Sequence, residues 1–232
     1  MKTKRIFFIS LSTSIIMLIF GGCASRYIPS VVNAPMLKNK GEIQASVNGG
    51  TSGFSSKIAY GITDNIGVML NGSFANRDSS ENNSDIHKHN YAELAGGYFK
   101  PIGTNGIFDV YMGYGYGNIK TAVTGWSVSA WNTEADFINQ RFFIQPSIGY
   151  YNKITDLNFA TKLSLVSISK NSYNKSVFFI TPVATFKVGF KHIRFITQLG
   201  ASIKTGDDND NFDYNPFVGN VGLEIDLFRK YE

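Results

Sequence analysis

The chain has one cysteine, two tryptophans and three histidines among its 232 residues, and charged residues make up only 17% of it. A single cysteine excludes an intrachain disulfide. Three histidines leave few places where a general base or a transition-metal site could assemble. The charged share lies below the roughly 25% of ordinary soluble domains. Low charge combined with 14% aromatic residues also excludes a disordered chain. Long apolar runs are scarce too. The one candidate, Ile6 to Phe20, is interrupted by Ser10, Ser12, Thr13 and Ser14 and stops at Gly21-Gly22. It falls short of the about 20 apolar residues that a membrane-crossing helix needs.

The start of the chain has the shape of a secretory signal. Lys2, Lys4 and Arg5 precede the apolar run, and residues 1–22 are expected to be cleaved. Cys23 follows directly, in Ile19-Phe20-Gly21-Gly22-Cys23-Ala24. This segment resembles the lipobox of bacterial lipoproteins, with Phe20 where Leu is commoner, and the resemblance implies acylation of Cys23. The bland alternative is an incidental or buried thiol. One cysteine at the cleavage point, and none elsewhere in an exported chain, favours the lipid. Several acyl chains, at about 0.8 kcal/mol per buried methylene, make a lasting anchor. Ala24 and Ser25 are not acidic, so the resemblance implies no retention in the inner membrane. Loss of the three basic signal residues lowers the formal net charge from +5 to +2. No basic stripe remains, and a nucleic-acid partner is not expected.

From Gly41 onward apolar and polar residues alternate at period two, the signature of strands with one wet face and one greasy face. In Phe108-Asp109-Val110-Tyr111-Met112-Gly113-Tyr114 one face reads Phe, Val, Met, Tyr and the other Asp, Tyr, Gly. The pattern predicts ten strands: Glu42 to Asn48, Phe54 to Ile62, Ile66 to Ala75, Asn90 to Phe99, Ile107 to Ile119, Phe137 to Tyr151, Ile154 to Ser169, Val177 to Phe190, Ile193 to Ile203 and Phe217 to Phe228. Short connections such as 63–65, 152–153 and 191–192 alternate with longer polar ones at 76–89, 120–136, 170–176 and 204–216. Short turns on one rim and long loops on the other predict an all-β, antiparallel, up-and-down transmembrane barrel of about ten strands, with eight to twelve admissible. An even number puts both ends of the barrel on the turn rim, taken as periplasmic, and a lipid on Cys23 would then reach the inner leaflet. Aromatic girdles are expected from Tyr98, Phe99, Tyr150, Tyr151, Phe190 and Phe228 at the turn rim, and from Phe74, Tyr91, Tyr116 and Phe142 at the loop rim. Pro146 and Pro182 fall inside strands, where a bulge or a shifted register is expected.

The opposite face of the same register places Glu42, Glu93, Asp109, Glu224 and Asp226 in the interior with Lys57, Arg141, Lys162, Lys187 and Arg194. Balanced charge favours a hydrogen-bonded filling over a wide pore of one sign. Gly97, Gly113, Gly115, Gly117 and Ser73 share that face and leave room for either a narrow polar passage or the long Lys and Arg chains from elsewhere.

Other candidate chemistry is sparse. Gly113-Tyr114-Gly115-Tyr116-Gly117 lacks the lysine and the helix of a phosphate loop, and its glycines fall at strand spacing. Asp85, His87 and His89 could ligate a metal if extended, but a polar loop is the expectation there. Asp207-Asp208-Asn209-Asp210-Asn211-Phe212-Asp213 lacks the glycine and glutamate of a calcium-binding hand. Trp126 and Trp131 belong to a long loop and are expected to pack within it. His192 stands in a turn. No converging nucleophile, base and orienting group is visible, so neither catalysis nor a metal nor a cofactor beyond the covalent lipid is expected.

Tyr27-Ile28-Pro29, Asn33-Ala34-Pro35 and Lys40-Gly41-Glu42, leading from the lipobox into the first strand, resemble the corresponding segment of lipoprotein-type outer-membrane β-barrel proteins of Gram-negative bacteria. The resemblance implies fold and location and transfers no functional residue. The chain is therefore expected to divide into a signal at 1–22, a lipidated linker at 23–40 and a barrel at 41–232. Its partners would be outer-membrane lipid and lipopolysaccharide, and both termini would be periplasmic. An envelope-structural or loop-mediated role is expected. The alternatives are a narrow porin-like channel and a lipid-anchored soluble barrel of lipocalin type with its apolar face inward.

Overall fold

The computed structural model of the chain describes residues 29, 32–78, 85–123, 135–170, 173–190, 192–206 and 214–228. They form strands β1 (Ile43–Gly50), β2 (Gly53–Gly61), β3 (Ile66–Asp78), β4 (Asp85–Ile102), β5 (Gly106–Val123), β6 (Ala135–Tyr151), β7 (Thr155–Lys170), β8 (Tyr173–Phe190), β9 (Ile193–Ala201), β10 (Ile203–Thr205) and β11 (Phe217–Leu227). β1 to β8 each pair antiparallel with the next strand in sequence, β10 pairs with β8, and β11 pairs with β9. The ring closes through β1 with β11, Ile43 facing Leu227 and Gly50 facing Asn220. β9 and β10 are one stave interrupted at Ser202, so the barrel has ten staves in up-and-down order.

Tight turns close the rim where β1 begins and β11 ends. Asn152 Oδ1 accepts from the backbone N–H groups of Ile154 at 2.8 Å and Thr155 at 2.7 Å, an Asx turn that reverses the chain. Thr63 Oγ1 does the same for Asn65 and Ile66. At the opposite rim several strands run past their expected limits. β3 continues to Asp78 and β4 starts at Asp85, so the stretch read as loop 76–89 is largely strand, while β7 and β8 are separated only by residues 171–172.

Pro146 and Pro182 interrupt hydrogen bonding without shifting register. β6 and β7 pair as Ile144 with Leu163 and again as Ser147 with Ala160, at an unchanged offset. β8 likewise pairs Val183 with Gly200 on β9 and Ile180 with Ile203 on β10. Both prolines keep their pairing on the other side, Pro146 with Val110 and Pro182 with Thr161. The missing N–H therefore leaves a gap in one ladder only, and the expected bulge is unnecessary. At the second gap the Ser202 N–H donates to the Pro216 carbonyl at 2.6 Å, and its hydroxyl lies 2.8 Å from Thr181 Oγ1.

The two faces are inverted relative to a water-soluble barrel. Leu94, Met112 and Phe142 are 61–63% exposed, and Leu70, Leu199 and Leu223 lie on the same outer surface. The inner face carries the charged residues. Of the expected girdle, Tyr98, Tyr150, Phe190 and Phe228 face outward near the turn rim, and Phe74, Tyr116 and Phe142 lie nearer the loops. Phe99, Tyr151 and Tyr91 are instead buried in the interior. Successive strand residues point to opposite sides, so neither Tyr98-Phe99 nor Tyr150-Tyr151 can place both rings outside.

Candidate functional site

The bore is occupied by the chain's own N-terminal segment. An eight-stranded barrel is just filled by its wall side chains, and diameter grows with strand number. A ten-stave barrel leaves an axial space, which residues 32–38 enter. Val32, Met36 and Leu37 are completely buried there, with Asn33 and Ala34 nearly so. The described part of the stretch expected as a lipidated linker thus lies inside the bore as a plug. Its backbone lacks strand partners, and wall side chains serve it instead. Lys57 Nζ donates to the Val32 carbonyl at 2.8 Å, and Gln198 Nε2 donates to the same oxygen at 2.9 Å. Gln145 Nε2 donates to the Asn33 carbonyl, and Asn33 Nδ2 donates to Asn71 Oδ1 at 2.8 Å. Met36 and Leu37 then join Phe99, Ile107, Tyr111, Phe143 and Tyr151 in an apolar cluster inside the barrel. Gly41, at φ 83°, allows the sharp reversal from plug into β1.

All ten charged residues assigned to the interior are buried, and they group into separate centres. In the first, Glu93 accepts from Lys162 Nζ at 2.7 and 2.8 Å, from Arg141 Nη1 at 3.1 Å and from Asn71 at 3.1 Å. In the second, Lys187 meets Glu224 at 2.6 Å. In the third, Arg194 lies 3.0 Å from Asp156 and 3.2 Å from Asp226. Glu42 accepts from the Lys38 N–H at 2.8 Å and from Gln44 Nε2 at 3.0 Å. Asp109 accepts from Ser147 Oγ at 2.7 Å, and Lys57 also donates to Gln198 Oε1 at 2.8 Å. Three members of the expected acid and base set, Glu42, Asp109 and Lys57, thus serve hydroxyl, amide or carbonyl partners.

The small-residue wall is filled by rings. A Cβ on Gly115 would lie 2.1 Å from the Tyr91 hydroxyl, and one on Gly113 would lie 2.8 Å from Phe143 Cζ. Those rings in turn carry cations: Arg141 sits 4.8 Å from the Tyr91 ring centre and Lys162 Nζ 4.1 Å from that of Phe143. The void left beside Lys57, Asn71, Tyr91 and Glu93 is about 10 Å³, room for one water at most. The glycines thus seat aromatic rings directly, and the expected Arg and Lys chains lie against those rings rather than against the glycines.

Cys23, the signal segment, Trp126, Trp131 and the 207–213 acidic loop lie outside the described residues. Asp85, His87 and His89 belong to β4 rather than to a loop, and they take alternate positions paired with Val123, Thr121 and Ile119. His89 is buried. Among the described residues no group of three or more acidic, His or Cys side chains could hold a metal. His192 Nδ1 lies 2.8 Å from the Asp226 carbonyl and ties its turn to the end of β11.

Sequence reasoning missed Asp156 and the plug. Asp156 was legible, because it shares the parity of Lys162 on the same strand. The plug also had a signal: Val31, Val32, Ala34, Met36 and Leu37 are too apolar for a solvated tether. Chemically the arrangement holds charge in place. No protein-family model and no curated protein matches this chain.

Proposed function

We propose that this chain is a sealed outer-membrane barrel of a Gram-negative bacterium, anchored by an acylated Cys23. It acts without catalysis, as a structural element of the envelope or a carrier of its long loops. One observation carries the reading: ion pairs at 0–7% side-chain exposure lie inside, whereas Leu94, Met112 and Phe142 stand outside at more than 60%. Water as outer solvent would leave these contiguous apolar staves uncovered, whereas hydrocarbon requires them. A closed ring also pairs the backbone groups that would otherwise face lipid, save at the Pro146 and Pro182 gaps. Outer-membrane lipid and lipopolysaccharide are the partners this surface suits. A lipocalin-type barrel needs its apolar face inward, and the charged interior weighs against it. The porin-like alternative needs an open bore, and buried Val32, Met36 and Leu37 weigh against that.

Two measurements test the proposal. Purified full-length protein in planar bilayers should give no discrete ion steps, and regular steps would favour the channel. Leu94→Arg places a cation on the outer face near the middle of β4 and should cost about 2–4 kcal/mol of stability in lipid vesicles. A change within about 0.5 kcal/mol, the range of an ordinary water-facing substitution, would argue against lipid contact there.

A further inference from the structure

The plug has a direction. Pro29 meets the β1–β2 hairpin at the loop rim, where its carbonyl accepts from Ser52 Oγ at 2.8 Å. Val32 and Asn33 bond Lys57, Gln198 and Asn71 within the bore. Leu37 packs over Gly67 at the start of β3, where a Cβ would approach it to 2.9 Å. Lys38 Nζ sits 3.3 Å from the Tyr151 ring centre, and the Lys40 N–H donates to Asp64 Oδ1 at 3.0 Å, both at the turn rim. The segment thus descends the whole bore before β1 climbs back. Strand parity holds for the barrel ends, but the chain ahead of them has already crossed once.

We propose that the chain preceding Pro29 emerges on the long-loop face, so that the acyl chains of Cys23 enter the leaflet on that face, opposite the C-terminal end of β11. The inference rests on the membrane-spanning reading and reverses the side that parity alone suggests for the anchor. Reach decides it. Five residues lie between Cys23 and Pro29, which makes six backbone steps. They extend to about 20 Å at most. That is less than the about 25 Å height of the apolar band. A return through the bore is blocked by the plug itself, and unpaired backbone does not cross lipid outside the wall. An acylated end is also too bulky to be drawn through a finished ring.

The experiment uses three full-length variants, each adding one thiol: Arg26→Cys, Asp208→Cys in a long loop and Thr104→Cys in a short turn. Intact cells of a Gram-negative host are treated with a membrane-impermeant maleimide, and the parent chain sets the background. Arg26→Cys and Asp208→Cys should label several-fold above background, and Thr104→Cys only after the outer membrane is permeabilised. Arg26→Cys behaving like Thr104→Cys would overturn the exit side while leaving the spanning reading intact. Equal labelling at all three positions, or at none, would overturn the spanning reading and this inference with it. Palmitate incorporation that is lost in Cys23→Ala would support the anchor, and its absence in the parent would overturn that clause.

Discussion

Glu93→Gln should cost about 3–5 kcal/mol of folding stability, because it leaves two cations in a dry interior facing a neutral amide. Lys162 lies 2.7 Å and Arg141 3.1 Å from the same carboxylate oxygen, and the side chains of all three are at most 3% exposed. An exposed pair would be worth less than about 1 kcal/mol, since water solvates either ion alone. Here no such solvent is at hand. Lys162→Met should be milder, because Glu93 keeps Arg141 and Asn71. Combining Glu93→Gln with Lys162→Met removes one stranded cation, so the double variant should be less destabilised than the sum of the singles by about 0.5–3 kcal/mol. Urea midpoints of the protein in lipid vesicles give all three values. A loss below about 1 kcal/mol for Glu93→Gln would mean that water reaches the centre and that the bore is not sealed.

The barrel was legible because its information is local and periodic. Phe108 to Tyr114 alternates over seven residues, and the structure turns that alternation into an outer Met112 and an inner Tyr111. Ten staves follow from repeating the same reading. Pairs of adjacent aromatics were misjudged where clustering was weighed above parity, as at Tyr150-Tyr151. The plug was illegible to a periodicity argument because residues 32–38 form no ladder. Their order comes from side chains far away in sequence, with Gln198 bonding Val32 across 166 positions. Partners at that distance leave no mark in a window of ten residues. What did mark the segment was composition, which says that Met36 and Leu37 must be buried but not where.

Deleting residues 24–38 while keeping Cys23 should convert a silent barrel into a conducting one. Val32, Met36 and Leu37 leave the bore axis together, which opens a path lined by Lys57 and Gln198 around the Val32 position and by Phe99, Ile107, Tyr111, Phe143 and Tyr151 around the Met36 and Leu37 positions. Lys57 and Gln198 lose the carbonyl they share, and water is the available replacement. Loss of Met36 and Leu37 from the apolar cluster should also lower stability by up to about 3–6 kcal/mol, at roughly 1.5–3 kcal/mol for each fully buried side chain. That figure is an upper bound, since an unfolded chain already buries part of this surface. The measurement is single-channel current in planar bilayers beside the full-length protein, with resistance of the compact band to detergent on a cold gel showing that the ring has formed. Discrete steps from the deletion and none from the parent are the expected pair of results. A compact but silent deletion variant would show that Arg141, Lys162, Tyr91 and Tyr111 close the bore by themselves, and the segment would then be a filler rather than a seal.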